Sequence, residues 1–301
     1  MNIGSTTFKN PIFVASGTFG YGTENPELVD ISKLGAIVTK SITLNPREGN
    51  PPPRIVETSS GMINSIGLAN IGVEKYISDM LPIYEEMDTP IIMNIAGSSM
   101  TEYMDVMKKV EAVSSSIVGY EINISCPNVK EGGMEFGVDC AMTEKLTGKL
   151  RKLTDRLLIM KLSPNVTDIA AIATSSENGG ADAVSAINTI VGMSINHRSR
   201  FSDIYTTFGG LSGPAIKPVG LACVHKVYNA VNIPIIGIGG IVNSTDVIEY
   251  FLAGSCSVQV GTANFRNPGI TEIILNDLNN YLDEKGIDSI SSLIGSVKTH
   301  D

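Results

Sequence analysis

Short apolar runs recur along the chain, and each one ends in small or polar residues. Ile12–Ala15 stops at Ser16-Gly17-Thr18, Ala36–Thr39 at Lys40-Ser41, and Ile91–Ile95 carries Asn94 toward its tip. Tyr120–Ser125 runs into Cys126-Pro127, Leu157–Leu162 is broken only by Lys161, and Ala183–Ile187 ends at Asn188-Thr189. Ile235–Ile238 ends at Gly239-Gly240 and Ser257–Val260 at Gly261-Thr262. Short runs rich in β-branched residues predict strands. Helical spacing lies between them: Val73, Tyr76, Ile77, Met80, Leu81 and Tyr84 predict a helix over 73–87, and Tyr103, Val106, Met107, Val110 and Val113 the next. Further helices are predicted from an Asp139 cap to near Leu153, and over 167–176, 218–231, 244–252 and 270–282. The polar N-terminus predicts a small hairpin. Pro46 to Pro53 is a proline-rich excursion. Residues 190–214 show no clear periodicity and are expected to be a functional segment such as a lid, with Gly209, Gly210 and Gly213 as hinges or tight turns.

Strand and helix thus alternate eight times over 301 residues. That pattern predicts an α/β protein: a single (β/α)8 barrel of the TIM type over residues 1–301, with its active site at the C-terminal ends of the strands. An open doubly wound sheet would be expected to carry a GxGxxG or P-loop turn after its first strand, and neither is there.

At 43% hydrophobic and 18% charged residues the chain can bury a large core. The net charge of −9 argues against nucleic acid as a partner, since such binding depends on Lys and Arg neutralising phosphates. Cys126, Cys140, Cys223 and Cys256 are widely spaced, so neither a zinc nor an iron–sulfur site is expected. No charged-then-apolar leader opens the chain, and no run reaches the roughly 18 apolar residues a membrane span requires. A soluble, cytoplasmic protein with reduced thiols is expected.

Candidate chemistry collects at the strand tips. The glycines after the last two strands suit backbone N–H groups that hold a phosphate, or simply tight turns. Lys40 and Lys161 have no aspartate nearby in sequence, which suits an anionic ligand or a cofactor that becomes anionic when reduced; a salt bridge is the plainer reading. Asn64, Asn94, Asn123, Asn128 and Asn188 carry the donors and acceptors a flat heterocycle needs, though single asparagines often serve turns. His197, His225 and His300 are poorly placed for a base. Cys126, held at a strand tip by Pro127, is then the leading candidate; it can act as nucleophile or base, or be a small buried hydrophobe.

Taken together, ASGTFGYG (15–22), TKSIT (39–43), NSIGLAN (64–70), NIAG (94–97), INISCPNVKEGG (122–133), KLSPNV (161–166), INT (187–189), GGLSGPAIKP (209–218), IPIIGIGGI (233–241) and VGTANF (260–265) resemble the class 1 dihydroorotate dehydrogenases, FMN-containing barrels of pyrimidine synthesis. The cysteine in SCPN separates this class from the membrane-bound class 2, whose pattern has serine there. CPNVKEGGMEFG is similar to the type B catalytic subunit. The resemblance implies that dihydroorotate is oxidised to orotate, with hydride passing to FMN and electrons to an FAD- and iron–sulfur-containing subunit and then NAD. It also implies a homodimer of this chain within a heterotetramer of two copies of each subunit. FMN contacts are implied at Ser16, Lys40, Ser41, Asn94, Asn123, Lys161, Ile187, Gly213, Gly239, Gly240, Gly261 and Thr262. Substrate contacts are implied at Lys40, Asn64, Ser65, Ile66, Gly67, Leu68, Asn123, Asn188 and Thr189, with Cys126 as the base and no metal. The alternatives are a type A, fumarate-linked enzyme, another FMN barrel such as a tRNA dihydrouridine synthase, which the acidic charge disfavours, and a non-enzymatic phosphate-binding barrel. The chain departs from the family pattern at Ala69-Asn70-Ile71-Gly72, where the family reads QNPG, and at Asp139-Cys140.

Overall fold

The computed structural model describes residues 1–24, 27–125 and 137–300. Eight parallel strands close a barrel in chain order: β1 (Ile12–Val14), β2 (Ala36–Val38), β3 (Ile91–Ile95), β4 (Gly119–Asn123), β5 (Leu157–Leu162), β6 (Ala183–Ala186), β7 (Ile235–Ile238) and β8 (Ser257–Val260), with β8 returning to β1. Strands β3, β5, β7 and β8 have the bounds predicted from their apolar runs, because strands buried on both faces read as continuous hydrophobic stretches. Strands β1, β2 and β6 each end one residue earlier than predicted.

Helices Met100–Glu111, Cys140–Arg151, Ile169–Asn178, Lys217–Tyr228, Ser244–Ala253 and Ile270–Lys285 surround the barrel. The Asp139 cap is present, its Oδ1 accepting from Met142 N at 2.7 Å. The predicted helix over 73–87 stops at Tyr84 and widens into a π turn over Tyr76–Met80. Pro82 follows that turn, and with no N–H it cannot return a bond to the carbonyl of Ser78. Between β1 and β2 there is only a 3-10 turn, Ile31–Lys33, among the described residues. Among the described residues no helix is long and apolar enough to cross a membrane, and no group of His, Cys, Asp or Glu could hold a metal ion.

The barrel interior is layered. Its lower part is apolar: Phe13, Ala36, Val38, Ile92, Leu157, Ile159, Ala183 and Ile236 pack together, closed from below by Ile3 and Phe8 of the N-terminal hairpin (Asn2–Ile3 with Thr6–Thr7). Side chains on a strand alternate faces, so two residues further along the same face Ile92 gives way to Asn94, Ile159 to Lys161, and Ala183 to Ser185. The interior turns polar toward the C-terminal ends.

One expectation is corrected. The stretch 190–214 is not irregular throughout; its two ends form a hairpin, Ile190–Met193 with Phe208–Ser212, that pairs with Gly61–Asn64 and Ile55–Thr58 in a four-stranded antiparallel sheet. Gly192, Gly209 and Gly210 hid its alternation. Gly209 and Gly210 are sites of close approach: a Cβ at Gly209 would lie 2.6 Å from the carbonyl oxygen of Asn64, and one at Gly210 would overlap the Thr189 hydroxyl.

The plug and the caps differ in weight, and unfolding in urea separates them. Phe8→Ala removes a ring that is 1% exposed and is expected to cost about 3–5 kcal/mol. Asn243→Ala, which breaks the capping box with Asp246, is expected to cost about 1 kcal/mol. Equal losses would mean that the hairpin does not close the barrel floor.

Candidate active site

The polar part of the interior is built around Glu121 on β4, a fully buried carboxylate. Its Oε1 accepts from Asn94 Nδ2 of β3 at 2.7 Å and from Lys161 Nζ of β5 at 3.2 Å. Its Oε2 accepts from Ser185 Oγ of β6 at 2.9 Å and from Gln259 Nε2 of β8 at 2.6 Å. A buried charge is tolerated where it is paired and its remaining lone pairs are satisfied, and both conditions are met here. For Lys161 the salt-bridge alternative holds: its acidic partner is forty residues away in sequence but on the adjacent strand. Sequence reasoning singled out none of Glu121, Ser185 and Gln259. The available signal was a polar residue inside an otherwise apolar parallel strand.

Above this layer the predicted residues meet at the strand tips. Ser41 Oγ donates to Asn94 Oδ1 at 2.5 Å, joining the tips of β2 and β3. Asn188 Nδ2 donates to Asn123 Oδ1 at 3.2 Å, joining β6 to β4, and Tyr103 OH donates to the Asn123 carbonyl at 2.7 Å. Lys40 continues the inward face of Ala36 and Val38, is half-buried, and is in no ion pair among the described residues. Ile187 N donates to Ile238 O at 3.0 Å, which sets the β6 tip beside β7.

The glycine turns lie on the opposite side. A Cβ at Gly240 would fall 2.8 Å from the Gly213 carbonyl oxygen, so Gly213 and the Gly239-Gly240 turn are in contact, and all three glycines have positive φ. Gly261 stands beside Ala15, next to half-buried Ser16, with nothing nearer than 3.6 Å to an added Cβ. Thr262 Oγ1 donates to Ser212 Oγ at 2.8 Å. Among the described residues the N–H groups of Gly240, Gly261 and Thr262 have no acceptor. Convergent free N–H donors with open space at Gly261 fit an anionic, phosphate-like group, and a lysine and asparagines above a polar floor fit the polar edge of a flavin. The residues present therefore fit FMN.

The substrate candidates lie where the antiparallel sheet meets the barrel. Asn64 pairs with Gly210, and the Thr189 side chain occupies the space that a Gly210 side chain would fill. Asn165 Nδ2 donates to the Thr189 carbonyl at 2.9 Å, a support that sequence reasoning missed. Ser65 Oγ is buried without a partner. Ile66, Gly67 and Leu68 continue the loop, with positive φ at Gly67 and Leu68, and Asn50 N bonds the Ile66 carbonyl at 3.0 Å. Cys126 and Asn128 lie outside the described residues.

The family model for dihydroorotate dehydrogenase matches residues 1–282. The chain is similar to the dihydroorotate dehydrogenase B (NAD(+)) catalytic subunit of Geotalea daltonii, 47% identical over 298 residues, covering 99% of this chain and 97% of that one. To the protein of the same name from Desulforamulus reducens it is 50% identical over 296 residues, covering 98% and 97%. The crystal structure of Eimeria tenella DHODH in complex with ferulenol shares the fold, with a TM-score of 0.79 at 24% identity over 98% of this chain and 87% of that one.

Removing one member of a buried ion pair leaves the other uncompensated. Lys161→Met is therefore expected to destabilise the chain by about 3–5 kcal/mol in urea unfolding, although methionine fills most of the volume. A loss below about 1 kcal/mol, the worth of an exposed pair, would contradict the buried Glu121–Lys161 contact.

Proposed function

This chain belongs to the dihydroorotate dehydrogenase family, and from that premise we propose that it is the catalytic subunit of an NAD-linked enzyme oxidising dihydroorotate to orotate in pyrimidine synthesis. The observation that carries the reading is the set of polar groups at the C-terminal strand ends: Asn94, Asn123, Lys161 and Asn188 with Lys40 on one part of the barrel, and on another the N–H groups of Gly240, Gly261 and Thr262, which have no acceptor among the described residues. The relatives carry the type B name, which supports neither the fumarate-linked nor the tRNA alternative.

FMN, when bound, supplies the acceptor for the hydride that leaves the substrate ring. Gly240, Gly261 and Thr262 would hold its phosphate, with Gly213 and Gly239 shaping the turn. Ser16, Lys40, Ser41, Asn94, Asn123, Lys161 and Ile187 would hold its ring system. Asn123, Asn188, Thr189 and Lys40, with the loop from Asn64 through Ser65, Ile66 and Gly67 to Leu68, would orient dihydroorotate through its N–H, C=O and carboxylate groups. Cys126 takes the proton from the carbon beside the substrate carbonyl, a role drawn from the sequence resemblance. A cysteine thiol is among the side chains that serve as general bases.

The relatives are named catalytic subunits, which implies a separate partner. We assign that partner the FAD and iron–sulfur centres, in a heterotetramer built on a homodimer of this chain. Val191, Met193, Phe201, Tyr205 and Phe208 are 44% to 77% exposed on or near the outer hairpin, an apolar surface that supports assembly. Widely spaced cysteines that read as reduced thiols fit a cytoplasmic protein.

Three measurements test the reading. The purified chain, recorded anaerobically, is expected to be yellow and to bleach on adding dihydroorotate; a chain that neither carries nor takes up FMN overturns it. Cys126→Ala is expected to keep the flavin while slowing its reduction about 10²–10⁴-fold. Without its partner the chain is expected to reduce dyes but hardly NAD, so rapid NAD reduction by the pure chain would exclude the two-subunit assignment.

A further inference from the structure

Glu121 reaches no surface and touches no candidate substrate residue, yet four side chains from four other strands converge on it. Two of the four, Asn94 and Lys161, are themselves candidates for holding the flavin ring. The other two, Ser185 and Gln259, serve only the carboxylate among the described residues. The contact to Lys161 is the longest, 3.2 Å against 2.6–2.9 Å for the other three. The negative charge is thus divided among four donors, and the ammonium keeps part of its field for whatever lies above it.

We propose that Glu121 is a positioning residue for the flavin: it fixes Lys161 and Asn94 from beneath and, by partly neutralising Lys161, sets how far the reduced, anionic flavin is favoured over the oxidised one. The inference rests on the FMN reading above. Its physical basis is that charges in a water-poor interior are weakly screened, so the charge at Glu121 is felt at the ring through the lysine it holds. Ser185 and Gln259 then act at one remove. By competing with Lys161 for the carboxylate, they make its hold on the ammonium looser.

Glu121→Gln is the suitable variant because it removes the charge and keeps the shape. Gln259 Oε1 has no partner, so its amide can turn to accept from the new Nε2, and the Ser185 hydroxyl can accept as well. With the full chain loaded with FMN, dye-equilibrated potentiometry is expected to show the preference for reduced over oxidised flavin raised at least about tenfold, which is a midpoint about 30 mV higher for two electrons. Ser185→Ala should move the midpoint the other way, since the carboxylate is freed to bind the lysine more closely. In a Lys161→Met background, Glu121→Gln should move the midpoint less, because only the carboxylate's own field is then removed.

An unchanged midpoint in Glu121→Gln, or the same shift with and without Lys161, overturns the inference. If Glu121→Gln fails to fold, the sign of the Ser185→Ala shift decides: a lower midpoint supports the proposal, and an unchanged or higher one overturns it. These results are separable from failure of the functional reading, which would show as wild-type chain that binds no FMN.

Discussion

A carboxylate at the centre of a parallel barrel is tolerable only if neighbouring strands supply enough donors at the right height to satisfy it. Glu121 imposes that condition. Asn94 lies opposite it in the β3–β4 register, and Lys161 lies opposite Ser185 in the β5–β6 register. A slip of one residue in any of these strands would turn a donor toward the helices and leave the charge bare. The register of half the barrel is therefore tied to one hydrogen-bonded cluster, and the same cluster fixes where Lys161 and Asn94 stand beneath the mouth.

The interior divides the work of the fold. Below Glu121 a cluster of apolar side chains fills most of the interior and the floor is closed by Ile3 and Phe8, so the ion pair lies in a poorly screened medium. Above it the groups are polar and joined across strands, as in the buried Ser41–Asn94 and the half-buried Asn188–Asn123 bonds. A polar mouth on a dry floor is a setting in which a few fixed charges act strongly on a bound ligand.

The architecture was legible because the strands are buried on both faces and so read as unbroken apolar runs with sharp polar ends. The tip residues were legible for the same reason, since barrel chemistry collects at those ends. What escaped was pairing at a distance. Glu121 is written like the polar half of an amphipathic strand, but in a barrel the second face looks into the interior and not into solvent. The partner of Lys161 lies on a neighbouring strand that no local pattern identifies. The sheet over 190–212 was hidden by Gly192, Gly209 and Gly210, which lack the side chains that mark a strand. The space around Gly209 and Gly210 belongs to the Asn64 carbonyl and the Thr189 side chain.

The departure from the family pattern at Ala69–Gly72 can be judged on the same terms. Asn70, which the family also has, is buried and does the structural work: its Oδ1 accepts from Thr43 N and Gly72 N, and its Nδ2 donates to Thr43 Oγ1 and the Leu68 carbonyl. These bonds pin the far end of the loop carrying Asn64 to Leu68, where Leu68 takes a left-handed backbone that a leucine adopts only when its surroundings enforce it. Ala69 and Ile71 stand on either side of that anchor. Ile71 N bonds the hydroxyl of Tyr21 at 3.4 Å, a contact a proline could not make, so the substitution adds a weak donor and leaves the anchor untouched. The loop geometry depends on the asparagine, and the two changed positions are ones the turn does not use.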